Sequence, residues 1–315
     1  MRDLRIVFMG TPDFAVAGLQ KLVENKYTVV GVITAPDRPA GRGQKIQQSA
    51  VKQYASQANL PVLQPTNLKD PEFIEELKAL NANLQIVVAF RMLPEVVWKM
   101  PEYGTFNLHA SLLPDYRGAA PINWAIIKGE KETGVTTFFI DEKIDTGAMI
   151  LKEEVSIGEN ETAGELHDRL MELGKGAVIK TLSLIEEGKA VTTIQQDTAN
   201  IKTAYKLNKD NCRIDWSKTG AEIHNLVRGL SPYPAAWTYF TDNGQEWNVK
   251  VYETAFESVM PNEEAGAIVS TKKEIKIAVK DGYLNIKSLQ FPGKKKMAAH
   301  ELLNGMQFSD AAKAL

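Results

Sequence analysis

Residues 106–118 read FNLHASLLPDYRG, an apolar run that closes on an amide and an imidazole two residues apart. Side chains alternate across a strand, so Asn107 and His109 emerge on one face while Leu108 turns to the opposite packing layer. An asparagine amide can donate to an oxygen that becomes negative during attack on a carbonyl, and an imidazole can hold or pass a proton. A second polar segment, Asp141-Glu142-Lys143-Ile144-Asp145-Thr146-Gly147, continues from the strand candidate Val135–Ile140. If neighbouring strands bring both loops to one crevice, a carboxylate meets the imidazole and orients it, and the three groups make an acyl-transfer site. A second reading stays open, since a histidine at a strand end is often a satisfied structural group and an aspartate before Thr-Gly is often a turn former. No nucleophile accompanies these groups: Ser111 lacks a G-x-S-x-G elbow and Cys212 falls at the expected domain boundary, so no covalent acyl-enzyme is expected. His109, His167, His224 and His300 show no ligand spacing such as H-E-x-x-H, and metal independence is predicted.

Such groups need a scaffold. Leu4–Met9, Thr28–Thr34, Leu84–Phe90, Thr105–Leu108 and Val135–Ile140 are strand candidates alternating with helical patterns, which predicts a mostly parallel, Rossmann-like α/β sheet. Asp70-Pro71 reads as an N-cap with proline at N1, and Thr162 with Glu165 as a capping box opening a helix that Gly188 closes. After the first strand, Gly10-Thr11-Pro12-Asp13-Phe14 lacks G-x-G-x-x-G and reads as a turn with an N-cap, which weakens a dinucleotide dehydrogenase. At 315 residues two domains are expected: 1–190 for the sheet, a polar, aperiodic linker over 191–208, and a small OB-like β-barrel over 209–315. In the barrel, Asp242-Asn243-Gly244 and Asp281-Gly282 are hairpin signals, and Ile275, Ile277 and Val279 alternate as in an antiparallel strand.

A net charge of -2 excludes a generally basic protein, so a nucleic-acid partner requires a local patch. Between Lys272 and Lys296 eight lysines face two acids, Glu274 and Asp281; on alternating strand positions they form either one phosphate-binding face or a lysine-blunted sheet edge. The one cysteine suits a reducing compartment, and no stretch reads as a signal peptide or membrane span, so a cytoplasmic, membrane-free protein is the expectation, with monomer the default for lack of any interface signal.

Several stretches resemble one family over almost the whole chain: Phe8-Met9-Gly10-Thr11-Pro12-Asp13-Phe14, Pro36-Asp37-Arg38-Pro39-Ala40-Gly41-Arg42-Gly43, the 106–118 segment and Asp145-Thr146-Gly147. Arg213-Ile214-Asp215-Trp216 and Pro292-Gly293-Lys294-Lys295-Lys296-Met297 extend it into the second domain. The pattern is similar to that of the folate-dependent formyltransferases, and the Arg-Pro-Ala-Gly-Arg-Gly loop narrows it to the family acting on methionyl-tRNA. The resemblance implies a catalytic trio of Asn107, His109 and Asp145, with Ser111, Leu112, Leu113 and Pro114 at the folate site. It also implies 10-formyltetrahydrofolate as formyl donor, initiator methionyl-tRNA as acceptor, and a loop carrying Arg38, Arg42 and Lys45 that enters the acceptor stem. Lys294, Lys295 and Lys296 of the barrel are further tRNA contacts on this reading. The chain departs from the pattern in Val88-Ala89-Phe90-Arg91-Met92-Leu93-Pro94, where V-A-Y-G-L-I-L-P is expected, and in Ala110 where glycine is commoner. A formyltransferase acting on a sugar amine, a formate-releasing hydrolase and a non-catalytic tRNA-binding protein are the competing functions.

Overall fold

The β-branched runs of the first half form one seven-stranded sheet in a computed structural model that describes residues 1–40, 45–196 and 200–315. In chain order its main strands are β1 (Arg5–Gly10), β2 (Thr28–Ile33), β3 (Leu84–Val88), β4 (Thr105–His109), β5 (Glu132–Phe139) and β6 (Met149–Ser156). Across the sheet they lie in the order β6-β5-β4-β3-β1-β2, and the short strand Val62–Leu63 follows β2 at the edge. The β2–β1–β3–β4 pairings are parallel and, apart from the first half of β2, their strands are largely buried on both faces, as apolar runs without alternation require. β5 pairs with β4 antiparallel, Phe106 opposite Phe139 and His109 opposite Thr136.

Helices α1 (Asp13–Glu24), α2 (Ala50–Gln57), α3 (Pro71–Ala79) and α4 (Ala163–Glu186) join this framework. The expected caps form where a side chain can reach an orphan N–H: the Asp70 carboxylate accepts from Glu72 N–H, and Thr162 and Glu165 bond each other's backbone N–H groups. The turn after β1 differs, since the cap position of α1 is Pro12 and no side chain bonds there. Val7, Met9, Ile33, Phe73, Leu77 and Val87 belong to one buried cluster of the sheet region.

By packing the chain divides into two units. The first holds Met1–Gly118, Thr133–Val155 and His167–Thr203; the second holds Ala119–Glu132, Ser156–Leu166 and Ala204–Leu315.

The second unit is a nearly closed antiparallel barrel built on β7 (Ala236–Asp242), β8 (Gln245–Glu257), β9 (Ile275–Val279) and β10 (Gly282–Gln290). Asn243 and Gly244, both at positive φ, turn β7 into β8 as their sequence predicts. The other hairpin is shifted by one residue, with Lys280-Asp281 as the turn and Gly282 already paired with Val279. Gly282 is there for close approach: a Cβ would come within 2.2 Å of the Glu257 carbonyl oxygen. The ladder comes close to closing because Lys313–Ala314 pairs with β7 on one side and on the other bridges to Ala267, beside the short strand Ile268–Ser270 that pairs with β9.

Helix α5 (Gly220–Leu230) buries Ile223, Val227 and Leu230 in the barrel core and carries His224. His224 Nε2 donates to Asn160 Oδ1 (3.2 Å) and Nδ1 accepts from the Thr254 hydroxyl (3.0 Å). Burial, aided by the charge of Arg228, holds its pKa below the ordinary 6.5. A ring held neutral when folded adds stability above about pH 6.5, and that stability is lost as pH falls through the lower folded value. The melting temperature of the chain is expected to fall more steeply between about pH 7 and 5 than that of His224→Gln; parallel curves would assign the acid sensitivity elsewhere.

Candidate active site

His109, the last residue of β4, is 7% exposed, and its Nε2 donates to the Tyr116 carbonyl at 2.8 Å. A carbonyl only accepts, so this bond puts the proton on Nε2 and leaves Nδ1 facing the Asp145 carboxylate, with 3.8 Å between Nδ1 and Oδ2. That separation is an ion-pair distance, longer than a hydrogen bond. Ring orientation therefore comes from Tyr116, whereas the sequence reading gave it to Asp145. Tyr116 offers its oxygen from a backbone at φ 60°. Asp145 Oδ2 accepts in turn from Gly118 N–H at 3.0 Å.

Asn107 shares the face of His109 and is half-buried. No described residue bonds its side-chain amide, and none of its atoms is sealed from solvent without a partner. The amide is thus available to a reacting group. Leu108, on the other face, is buried and packs toward Gly174 of α4, which fixes the register of the pair.

Asp145 arrives by a different route from the one the sequence implies. Because β5 runs antiparallel to β4, the 141–147 loop leaves the sheet where β4 begins, with Ile140 N–H donating to Thr105 O. It then folds back for Asp145 to reach His109. Asp141 staples the loop by accepting from Lys143 N–H and the Thr146 hydroxyl, and Asp145 takes φ 56°, a conformation aspartate tolerates better than most residues. At Gly147 a Cβ would lie 1.6 Å from the Phe139 carbonyl oxygen, so only glycine lets the loop turn back here.

The loop after His109 is locked to β5. Leu113 N–H donates to the Thr136 hydroxyl (3.1 Å), which donates to Ser111 O (2.7 Å). Ser111 and Leu113 are fully buried, and the Ser111 hydroxyl is spent on Asp115 O. Of the four residues placed at the folate site, Leu112 and Pro114 alone keep exposed surface. Arg91, the departure from the family pattern, bonds the carbonyls of Pro65 and Thr66 and lies 5.5 Å from the Phe90 ring, so it pins its segment to the 65–66 turn.

Arg38 is exposed in a short hairpin that pairs Arg38–Ala40 with Lys45–Gln47. Arg42 and the side chain of Lys45 lie outside the described residues. In the barrel, Lys294, Lys295 and Lys296 are exposed in the turn after β10, Lys296 standing 4.8 Å from the Tyr252 ring. The eight lysines do not alternate along strands: Lys276 and Lys287 alone occupy β9 and β10, and Lys276 is paired with Glu257 at 2.7 Å. The others sit at turns, where hairpin geometry prefers polar residues.

Cys212 is buried in the barrel core, and burial pushes its thiol up, away from nucleophile chemistry. No group of three or more metal-ligating side chains is assembled among the described residues. Two residues of the site escaped the sequence reading, Tyr116, whose carbonyl orients His109, and Gln195. Gln195, from the stretch read as a linker, is buried and bonds Arg117 and the carbonyls of Asp145 and Gly147. A lone glutamine in a polar run carries no pattern that would single it out.

Two family models match the chain, "Formyl transferase" over residues 4–182 and "Formyl transferase, C-terminal domain" over 206–307. Methionyl-tRNA formyltransferase of Flavobacterium johnsoniae is 66% identical over 313 residues, covering 99% of both chains. The Bacteroides fragilis protein of the same name is 52% identical, covering 99% of this chain and 98% of its own. Among solved structures, WlaRD, a sugar 3N-formyl transferase in the presence of dTDP and 5-N-formyl-THF, superposes with a TM-score of 0.65. It is 21% identical, covers 94% of this chain and is itself covered in full, a likeness of fold.

Proposed function

The chain belongs to the formyl transferase family, alongside the methionyl-tRNA formyltransferases, and we propose that it moves the formyl group of 10-formyltetrahydrofolate to the methionine amine of initiator methionyl-tRNA. The observation that carries this reading is the Asn107 amide, unpartnered among the described residues, on the same strand face as His109, with Asp145 beside the imidazole. The free amine attacks the formyl carbon, and a C–N bond forms as the carbonyl π pair moves onto oxygen. Asn107 donates to that oxygen. Collapse restores the carbonyl and breaks the bond to the folate nitrogen, which leaves with the proton that the amine gives up. His109 and Asp145 hold and pass that proton. Folate is the donor on this reading, with Leu112 and Pro114 on its pocket wall, and no metal takes part. No described helix is long and apolar enough to cross a membrane. A cytoplasmic monomer completes the proposal.

Arg38, Arg42 and Lys45, with Lys294, Lys295 and Lys296, are the proposed tRNA contacts, because cationic side chains bind phosphate and arginine's planar fork also reads base edges. Arg42→Ala is expected to raise KM for tRNA about tenfold and to leave folate affinity unchanged. A selective loss of folate binding would overturn that assignment.

The test is formyl transfer to methionyl initiator tRNA, with methionyl elongator tRNA and a no-tRNA control. Selective formylation of the initiator supports the reading. Formate release without transfer points to the hydrolase, and no folate turnover to a binding protein.

A further inference from the structure

We infer that Gln195 is a positioning residue that sets the place of the Asp145 carboxylate, through a buried bridge that also engages Arg117. Its Nε2 donates to two carbonyl oxygens of the catalytic loop, Asp145 O at 2.9 Å and Gly147 O at 2.8 Å. Its Oε1 accepts from Arg117 Nε (3.1 Å) and Nη2 (2.8 Å). Arg117 immediately precedes Gly118, whose N–H holds Asp145 Oδ2. One neutral side chain thus ties the backbone on either side of Thr146 to the segment that binds the carboxylate.

The burial pattern picks out this residue. Val191 and Ile194 are about 80% exposed, whereas Gln195 is 8% exposed. The segment is fastened first by Thr193, which exchanges both backbone hydrogen bonds with Met149, and then by the Gln195 side chain. Apolar residues stay out and an amide goes in, the reverse of what packing alone would select. The reason is chemical: the position faces two acceptors and one double donor, and an amide supplies two hydrogens and one oxygen at the required length. A carboxylate could serve Arg117 but would confront both carbonyls with no hydrogen, and a shorter amide could not span the bridge.

The bridge meets a need of the loop. Asp145 sits at φ 56°, and its loop has come back from the far end of β5, so the sheet ladder does not fix it. Asp141 staples the loop within itself but does not tether it to its surroundings. Gln195 supplies that tether.

The inference rests on the proposed transfer reaction for its kinetic test, so a substrate-independent test accompanies it. Gln195→Met keeps the length and bulk of the side chain and removes every hydrogen bond. It is expected to lower kcat for formyl transfer by about 10–100-fold, with KM for either substrate changed less than threefold. In an Asp145→Asn background the same replacement should cost less than threefold more, since the two act as a unit. The pH profile of kcat for Gln195→Met should take the shape of the Asp145→Asn profile. Without substrate, hydrogen exchange at the Gly118 amide should quicken at least tenfold in Gln195→Met, while amides of β1 and β3 stay protected. Additive losses in the double variant, or unchanged exchange at Gly118, would overturn the inference. If the unaltered chain fails to formylate methionyl-tRNA, the reaction reading falls and the exchange measurement still decides the bridge.

Discussion

Asn107→Ala is expected to lower kcat for formyl transfer by about 10²–10³, the cost of removing one oxyanion donor from a shielded site. Affinity for the folate and for tRNA should stay within about threefold, because the amide meets the formyl oxygen most strongly once that oxygen carries charge. Truncation leaves the strand intact: β4 is hydrogen-bonded on both sides, by β3 and by β5, and the amide has no partner among the described residues to orphan. Single-turnover transfer measured beside equilibrium tRNA binding separates the outcomes. Equal losses in rate and in binding would make Asn107 a substrate anchor.

Asp145→Asn should cost about 10²–10⁴ in kcat with little change in either KM. The exchange keeps shape, and asparagine tolerates φ 56° as aspartate does, so the backbone has no reason to move. The amide oxygen can still accept from Gly118 N–H; only the negative charge 3.8 Å from His109 Nδ1 is gone. Side-chain exposures of 8% and 15% shield the pair from water, where such a charge counts for more than at the surface. A loss below tenfold in rapid-quench turnover would remove Asp145 from the proton path.

The scaffold was legible wherever a rule acts within a few residues. Asp70 and Thr162 announced their helices because capping is a contact across two or three positions, and the parity of Asn107 and His109 follows from the pleat itself. Strand direction is a different matter. Nothing in Val135–Ile140 says whether it runs with β4 or against it, so the pairing of Asp145 with His109 was anticipated from a parallel geometry that the antiparallel β5 does not have. The other omissions are backbone groups or isolated polar residues. The Tyr116 carbonyl that orients His109 exists in every residue, and Gln195 gained its meaning only when the chain returned to the loop it holds.

β5 carries more of the site than its own side chains suggest. Gly134 leaves room for Leu112, whose Cδ2 would stand 2.6 Å from an added Cβ; Thr136 clasps the 111–113 turn; and the strand's exit leads to Asp145. The wall proposed for the donor pocket and the carboxylate proposed for proton transfer thus both lean on β5, with Asn107 and His109 on the adjacent strand. A shift of β5 would therefore be felt at both, through the Thr136 hydroxyl at the 111–113 turn and through the 141–147 loop at Asp145, where the Gln195 bridge holds the far end.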